Sequence, residues 1–454
     1  MTQSKPRRSS GLTRRLFVRK SSTTVGAAAL GSLYGCATTA GTATKATPAI
    51  GWIDGDETIK VGLIGCGGRG TGAAGQAMRA DKGAVLWAMG DAFDDRLSAS
   101  HGHLKNLHGD QIEVDDERMF VGFDAYQKVI DSGVDVVILT TPPHFRPEHF
   151  KYAVDKKKHV FMEKPMAVDG PGVRSVIADA QRAKAQGTNV MGGFCWRYNH
   201  PNRECYARIH DGAIGDVKCV HSTYLSGPLG KKPRQDGWSD MEWQMRNWQH
   251  FNWLSGDHIT EQACHAIDKI NWAKDNMQPD RCITVGGRQM RSGPESGNIY
   301  DHFSVVYEYP DGTRSFHDCR QMPNCWSDNT EKIFGTKGDC YVNSWGPTQI
   351  ITGENPWEYE GPNPNMYQVE HNELFKAIRN GDVINDGPEM TRSTLMAIMG
   401  RMSAYSGQPV TYEEALASED RLGPTVYEWS DLPVLDVSVP GSPASWSEVQ
   451  VASK

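Results

Sequence analysis

The sequence predicts an α/β fold: a doubly wound parallel sheet with helices on both faces, followed by an α+β domain with an open, mostly antiparallel sheet. Three observations predict it. Between residues 59 and 194, short β-branched apolar runs alternate with helix-patterned segments, as parallel strands joined by helical crossovers require. After Trp196 the runs instead alternate polar and apolar residues, the pattern of strands with one wet face. A Pro310-Asp311-Gly312 turn splits two of these runs into a hairpin.

Ile59–Ile64 reads as a buried strand ending in glycine, Gly72–Ala80 as a helix and Val85–Met89 as the next strand. Val134–Thr140 is a parallel strand buried on both faces, followed by a helix over Phe145–Lys157. His159–Met162, a helix over Asp169–Gln186 and a strand over Asn189–Phe194 complete the first sheet. The second sheet draws on Val217–Leu225, Cys282–Met290, Asp301–Tyr309 and Thr313–Cys319, interrupted by one helix over Asp257–Ala273. Glu370–Arg379 and Thr391–Ser406 read as helices packed on the body. The expected division is a leader over 1–36, a linker over 37–57, a nucleotide domain over 58–195, an α+β domain over 196–410 and an irregular tail over 411–454.

The 454 residues carry a net charge of −7 with no basic block beyond the N-terminus, which argues against a nucleic-acid surface. The ten cysteines form no CxxC pair, which argues against zinc-ribbon or thioredoxin-type sites. Thr13-Arg14-Arg15-Leu16-Phe17 resembles a twin-arginine export signal. The weakly apolar stretch after it, Val25–Tyr34, is too short to span a bilayer. Leu33-Tyr34-Gly35-Cys36 then resembles a lipobox. The expectation is a protein exported folded to the periplasm, either free there or held to a membrane by a lipid on Cys36.

Gly65-Cys66-Gly67-Gly68-Arg69-Gly70 is GxGxxG placed after a strand and before a helix. Its glycines serve a tight turn, close approach of a pyrophosphate and close helix–strand packing, and the helix N-terminus offers donors to phosphate. Asp91 ends the next strand about twenty residues on, where a carboxylate bonds ribose hydroxyls and repels a 2′-phosphate. The Rossmann reading follows, with NAD favoured over NADP.

Three further segments carry chemistry: Thr141-Pro142-Pro143-His144, Glu163-Lys164-Pro165 and Glu261-Gln262-Ala263-Cys264-His265. With the glycine turn they resemble the Gfo/Idh/MocA family (glucose–fructose oxidoreductase, inositol dehydrogenase and relatives) over residues 58–415. The resemblance implies hydride transfer at a sugar or cyclitol carbon. It puts the catalytic lysine at Lys164, cofactor contacts at Thr141, Pro142, His144 and Glu163, and an oligomer interface on the second sheet. Where the family commonly carries an Asp four residues before a His, this chain has Glu261 and His265. The chemistry suits these residue types: His265 as general base, Lys164 as relay or alkoxide stabiliser, Glu261 as orienter of the histidine or as a substrate ligand.

Arg197, Tyr198, Arg246, Trp248 and His258 are candidate substrate contacts, since Arg bonds hydroxyls and aromatic rings stack on sugars. His258, Glu261 and His265 share one face of the expected helix, a spacing a metal site would use, but NAD chemistry accounts for them and no metal is expected. The functional expectation is an NAD-dependent oxidoreductase acting on a secondary hydroxyl of a sugar, glycoside or cyclitol, with the cofactor held tightly and recycled. One alternative is an NAD-dependent glycoside hydrolase working by transient oxidation, elimination, hydration and re-reduction. The other is a non-catalytic sugar-binding protein.

Overall fold

The computed structural model describes Ile53, Gly55, residues 57–443 and Ser445. The export signal, Cys36 and nearly all of the linker lie outside these residues.

Six parallel strands form the first sheet: β1 (Ile59–Ile64), β2 (Ala84–Asp91), β3 (Met119–Val121), β4 (Val136–Leu139), β5 (His159–Met162) and β6 (Val190–Gly192). Their order is β3-β2-β1-β4-β5-β6, so the direction of winding reverses between β1 and β4. Such a reversal opens a crevice beyond the carboxyl ends of the strands, where ligands bind. All four residues of β4 are wholly buried, each such apolar side chain contributing about 1.5–3 kcal/mol. Helices α1 (Gly68–Ala80), α2 (Asp94–His108), α3 (Ala125–Asp131), α4 (Arg146–Asp155) and α5 (Gly170–Gln186) make the crossovers. Helix α1 starts at Gly68 rather than Gly72, inside the glycine turn itself. Helix α5 is capped at both ends: Asp169 Oδ1 accepts from Gly172 N at 2.8 Å, and Gly187 closes it at φ +76°.

The chain then runs through α6 (His200–His210), β7 (Val217–Ser226), α7 (Asp240–Arg246), α8 (Asn252–Ser255), α9 (Asp257–Glu261) and α10 (Cys264–Ala273). Strands β8 (Arg281–Gly287), β9 (His302–Glu308), β10 (Arg314–Gln321), β11 (Thr330–Gly335), β12 (Gly338–Asn343), β13 (Gln349–Gly353) and β14 (Trp357–Glu358) follow. With β15 (Val410–Thr411) they form a nine-stranded sheet in the order β14-β13-β12-β11-β7-β10-β9-β8-β15. Among the described residues, only the β7–β10 pair of this sheet is parallel. The predicted hairpin joins β9 to β10, with Tyr309 N donating to Thr313 O at 3.1 Å and Gly312 at φ +77°.

The single helix expected over Asp257–Ala273 is broken. The His258 carbonyl accepts from Gln262 N at 3.0 Å and also from Ala263 N at 3.1 Å. The five-residue step widens the helix between α9 and α10, a local π-type distortion. Helix α11 (Met366–Asn380) returns to the first sheet, where Val369, Leu374, Phe375 and Ile378 share a core with Ala73 and Ala77 of α1. Helix α12 (Gly387–Ser406) is buried along most of its length. The tail opens with α13 (Tyr412–Ala417), closed at its N-terminus by a Thr411–Glu414 capping box.

Candidate active site

The glycine turn holds its shape for steric reasons. Gly65 has φ +95°, where a side chain is strained, and its Cβ would meet the Thr140 carbonyl carbon at 2.7 Å. A Cβ on Gly70 would strike the Gly65 carbonyl oxygen, so helix α1 lies as close to β1 as backbone allows. A Cβ on Gly67 would meet nothing within 4 Å, because this residue borders open space. That space is a cavity of about 310 Å³ lined by Gly65, Gly67, Gly68, Asp91, Thr141 and Pro142, among others. Asp91 Oδ2 accepts from Cys66 N at 2.6 Å and Oδ1 from Phe93 N at 2.9 Å, which fixes the carboxylate at the cavity wall. Burial raises its pKa, and these two N–H donors partly offset the rise. An open cradle of backbone at a helix N-terminus, with a carboxylate at the neighbouring strand end, fits a dinucleotide.

Three residues expected at the cofactor are turned elsewhere. The Arg69 guanidinium is paired with Glu163 and with Glu370, the latter at 2.9 Å, and lies over the Tyr367 ring at 5.0 Å. Glu163 in turn accepts from Lys164 N at 3.1 Å. One guanidinium thus serves two nearly buried carboxylates, and burial pushes the pKa of Glu370 well above the ordinary carboxylate value. The His144 Nε2 lies 2.7 Å from the Tyr427 hydroxyl, and its ring packs edge-on against Trp253. Burial pushes its pKa down to about 4.

The second cluster is built of side chains. Lys164 Nζ donates to the Glu261 carbonyl oxygen and lies 3.6 Å from its Oε1. Burial alone would lower the lysine's pKa, but Glu261, Cys264 and Glu163 outweigh it and hold the ammonium protonated. His265 packs against Trp196 at 4.9 Å and edge-on against Phe194 at 5.9 Å. Its Nδ1 is buried with no hydrogen-bond partner among the described residues. Burial, then Lys164, Lys269 and Arg69, press its pKa well below the ordinary value, so the ring is neutral. The Glu261 carboxylate is thus committed to Lys164 and leaves His265 unoriented. The break at Gln262–Ala263 accounts for this, because four residues no longer return the chain to one helix face.

Several neighbours escaped sequence reasoning. Tyr224 lies in β7 near Lys164, with its pKa raised by burial to about 12; the alternation of Val217–Leu225 was the one signal for it. Arg146 is almost wholly buried, donates to Pro165 O at 2.6 Å, and has its pKa pushed down by burial to about 10. Lys269 is buried against Glu331 and lies 3.8 Å over the ring of Trp196, which also packs on His265. Nothing in the sequence marks Arg146 or this ion pair.

The five substrate candidates do not converge. Arg197 is held by Asp268 at 2.8 Å and Tyr198 donates to Asp386 at 2.8 Å. Both line a separate cavity of about 260 Å³. Burial raises the Asp386 carboxyl there to about 6. Arg246 and Trp248 line the dinucleotide cavity. His258 is buried against the Phe303 ring, its Nε2 without a partner among the described residues. It lies in α9 with Glu261, and the break at Gln262–Ala263 falls between it and His265 in α10. Among the described residues no three His, Cys, Asp or Glu side chains group as a metal site.

Comparisons with known proteins agree with this geometry. Residues 59–193 match a family model described as an oxidoreductase family with an NAD-binding Rossmann fold, and residues 202–341 match the GFO/IDH/MocA C-terminal domain. The chain is 27% identical over 212 residues, 46% of its length, to a 2,7-anhydro-N-acetylneuraminate hydratase of Escherichia coli strain K12, covering 52% of that protein. It is 27% identical over 230 residues, 50% of its length, to inositol 2-dehydrogenase 4 of Saccharopolyspora erythraea, covering 63% of it. The chain thus spans about half the length of the first of these relatives. The fold of a levoglucosan dehydrogenase solved with NADH and levoglucosan superposes with a TM-score of 0.62 at 18% identity, over 78% of this chain and 100% of that one.

Proposed function

The chain belongs to the Gfo/Idh/MocA oxidoreductase family, and from that premise we propose that it oxidises a secondary hydroxyl of a sugar, glycoside or cyclitol, with NAD held tightly and recycled within the site. The observation that carries the reading is the pairing of a protonated Lys164 with a neutral His265 whose Nδ1 has no partner. Bound NAD supplies the hydride acceptor, and Gly65–Gly68, Asp91 and Thr141 are the residues that would hold it. Lys164 Nζ donates to the substrate oxygen and stabilises the alkoxide as charge develops, an effect of the oxyanion-hole kind contributing roughly 3–4 kcal/mol. His265 takes the hydroxyl proton on a ring nitrogen. Glu261 holds the ammonium in place, so its role is with the lysine rather than the histidine.

A sequence feature outside the described residues supports cofactor retention. Arg14-Arg15 points to export after folding, and a cofactor folded in beforehand has no pool to exchange with. The lipid anchor at Cys36 belongs to the same reading. A homo-oligomer is supported by the outer face of the second sheet. Ile283, Val285, Phe316 and Phe334 are all exposed there, with Ile283 and Phe316 both in register with Val306, and exposed apolar faces of this kind mark association surfaces.

A second reading is favoured by the hydratase relative. Transient oxidation of the C3 hydroxyl to a ketone, with hydride passing to NAD, acidifies the C2–H and allows elimination of the anomeric substituent; addition of water and return of the hydride then complete the cycle with no net redox change. Mass spectrometry of protein incubated with free sugars and glycosides separates the two. A keto-sugar or lactone supports oxidation, a released aglycone supports the redox-neutral route, and no product from any hydroxylated substrate overturns both.

A further inference from the structure

The dinucleotide cavity has a wall that the nucleotide sheet does not supply. Gly230, Lys232, Arg246, Asn247, Trp248 and His250 line it together with the glycine turn and Asp91. We propose that residues 230–250, latched by residues 427–432 of the tail, are the second half of the NAD site: they close over the dinucleotide, place Lys232 at its phosphates and set its rate of release. The proposal rests on the reading that NAD is retained.

The wall is internally fixed. Lys232 N donates to Asn247 Oδ1 at 3.0 Å, Trp243 Nε1 donates to Lys232 O at 3.0 Å, and Asn247 Nδ2 donates to Glu295 O at 2.8 Å. It is also fastened across the cavity. Arg246 makes a two-pronged bond to the Asp95 carboxylate at 3.1 and 3.0 Å, and its guanidinium lies 4.0 Å over the Phe93 ring. Phe93 and Asp95 lie two and four residues beyond Asp91, so this clamp joins the wall to the β2–α2 connection that follows the carboxylate expected at the ribose.

The tail backs the wall. Met241 N donates to Ser430 O at 3.2 Å, Leu432 N to Asp240 Oδ2 at 3.1 Å, and Gln244 Nε2 to Leu432 O at 2.8 Å. Trp429 packs on Phe93 at 5.2 Å and on Phe123 at 4.5 Å, while Tyr427 packs on Phe123 at 5.9 Å and meets His144. Phe93 and Phe123 from the loops beyond β2 and β3, Met241 and Trp243 from α7, and Leu432 from the tail share one apolar cluster. A dinucleotide leaving through this wall has to part that cluster or break the Arg246–Asp95 clamp.

Lys232 gives the wall a specific anion requirement. It is half-buried and in no ion pair among the described residues; burial first, then Arg96 and Arg246, push its pKa down, and Asp95 only partly offsets them. A cation so placed is stabilised by an incoming anion, and the pyrophosphate of a dinucleotide is the anion this cavity is shaped to admit.

The test uses the full chain, and its readouts are dinucleotide content after exhaustive dialysis and the dissociation rate of bound NADH chased with NAD, followed by quenching of tryptophan emission. Lys232→Ala is expected to speed dissociation about tenfold, the loss of one charge-assisted bond, with Lys232→Arg restoring retention. Trp429→Ala is expected to speed dissociation while leaving circular dichroism unchanged. Wild-type rates in both Lys232→Ala and Trp429→Ala overturn the proposal. If wild-type protein itself dialyses empty, the retention reading fails separately. The wall is then judged by the affinity for added NAD, where equal dissociation constants in wild type and both variants overturn it.

Discussion

The glycine turn and the Lys164–His265 cluster are both polar sites at the carboxyl ends of the same sheet, yet they are built in opposite ways. The turn is backbone and absence: Gly65 takes a φ that a side chain would strain, Gly70 lets α1 close in, and Gly67 leaves open space. The cluster is crowded, with Lys164 spent on Glu261 and His265 wedged between Trp196 and Phe194. A site made of backbone is specified by a contiguous stretch and holds its shape without side-chain partners. A site made of side chains from distant segments satisfies itself until substrate supplies the missing partners.

The contrast is broken first at Lys164. Lys164→Ala should lower kcat about 10³-fold with NAD affinity unchanged, because the alkoxide loses its donor and the cavity is untouched. A parallel loss of NAD affinity by equilibrium titration would join the two regions into one. His265→Asn should cost about 10²-fold in kcat by removing the proton acceptor. Gly67→Val should do the reverse, abolishing NAD binding while leaving thermal stability near wild type, since its Cβ meets no protein atom. Glu261→Gln should cost about tenfold in kcat, with the lysine less firmly held.

The smallest effects are in pH. His265 is held neutral, so the acid limb of kcat/KM is expected below the ordinary histidine value of about 6.5. Stability carries the same sign. Folded pKa values near 4 for His144 and near 3 for His149 and His317 mean that the unfolded chain binds protons first. Their contribution is full above pH ~6.5 and is lost as pH falls towards 4, so the melting temperature should decline over that window. A flat profile there would show these rings to be less enclosed than described.

Legibility in the sequence followed the same division. β1 and β5 were readable to the residue as uninterrupted apolar runs, and Asp91 as the carboxylate after a strand. Helix α2 was not, because only Leu97, Ser100 and Leu104 of its fifteen residues are buried and its polar pattern resembles a loop. Strand β11 was hidden by Glu331, a charge at a fully buried position that only its distant partner Lys269 makes tolerable. The break in the 257–273 helix depends on one carbonyl serving two N–H groups, which no spacing reveals. Arg246 and Trp248 had the right chemistry for a sugar site. Tertiary folding places Arg246, at the end of α7, and Trp248, just beyond it, in the lining of the dinucleotide cavity.

The central claim is that one retained NAD meets a sugar hydroxyl between Lys164 and His265. It is tested most directly by mixing protein purified without added cofactor with a panel of sugars and cyclitols and following the near-ultraviolet absorbance of reduced nicotinamide. The account predicts a rise that is stoichiometric with protein, requires no added NAD and is absent in Lys164→Ala. A dinucleotide-free preparation that stays silent with every hydroxylated substrate, even after NAD is supplied, would contradict it.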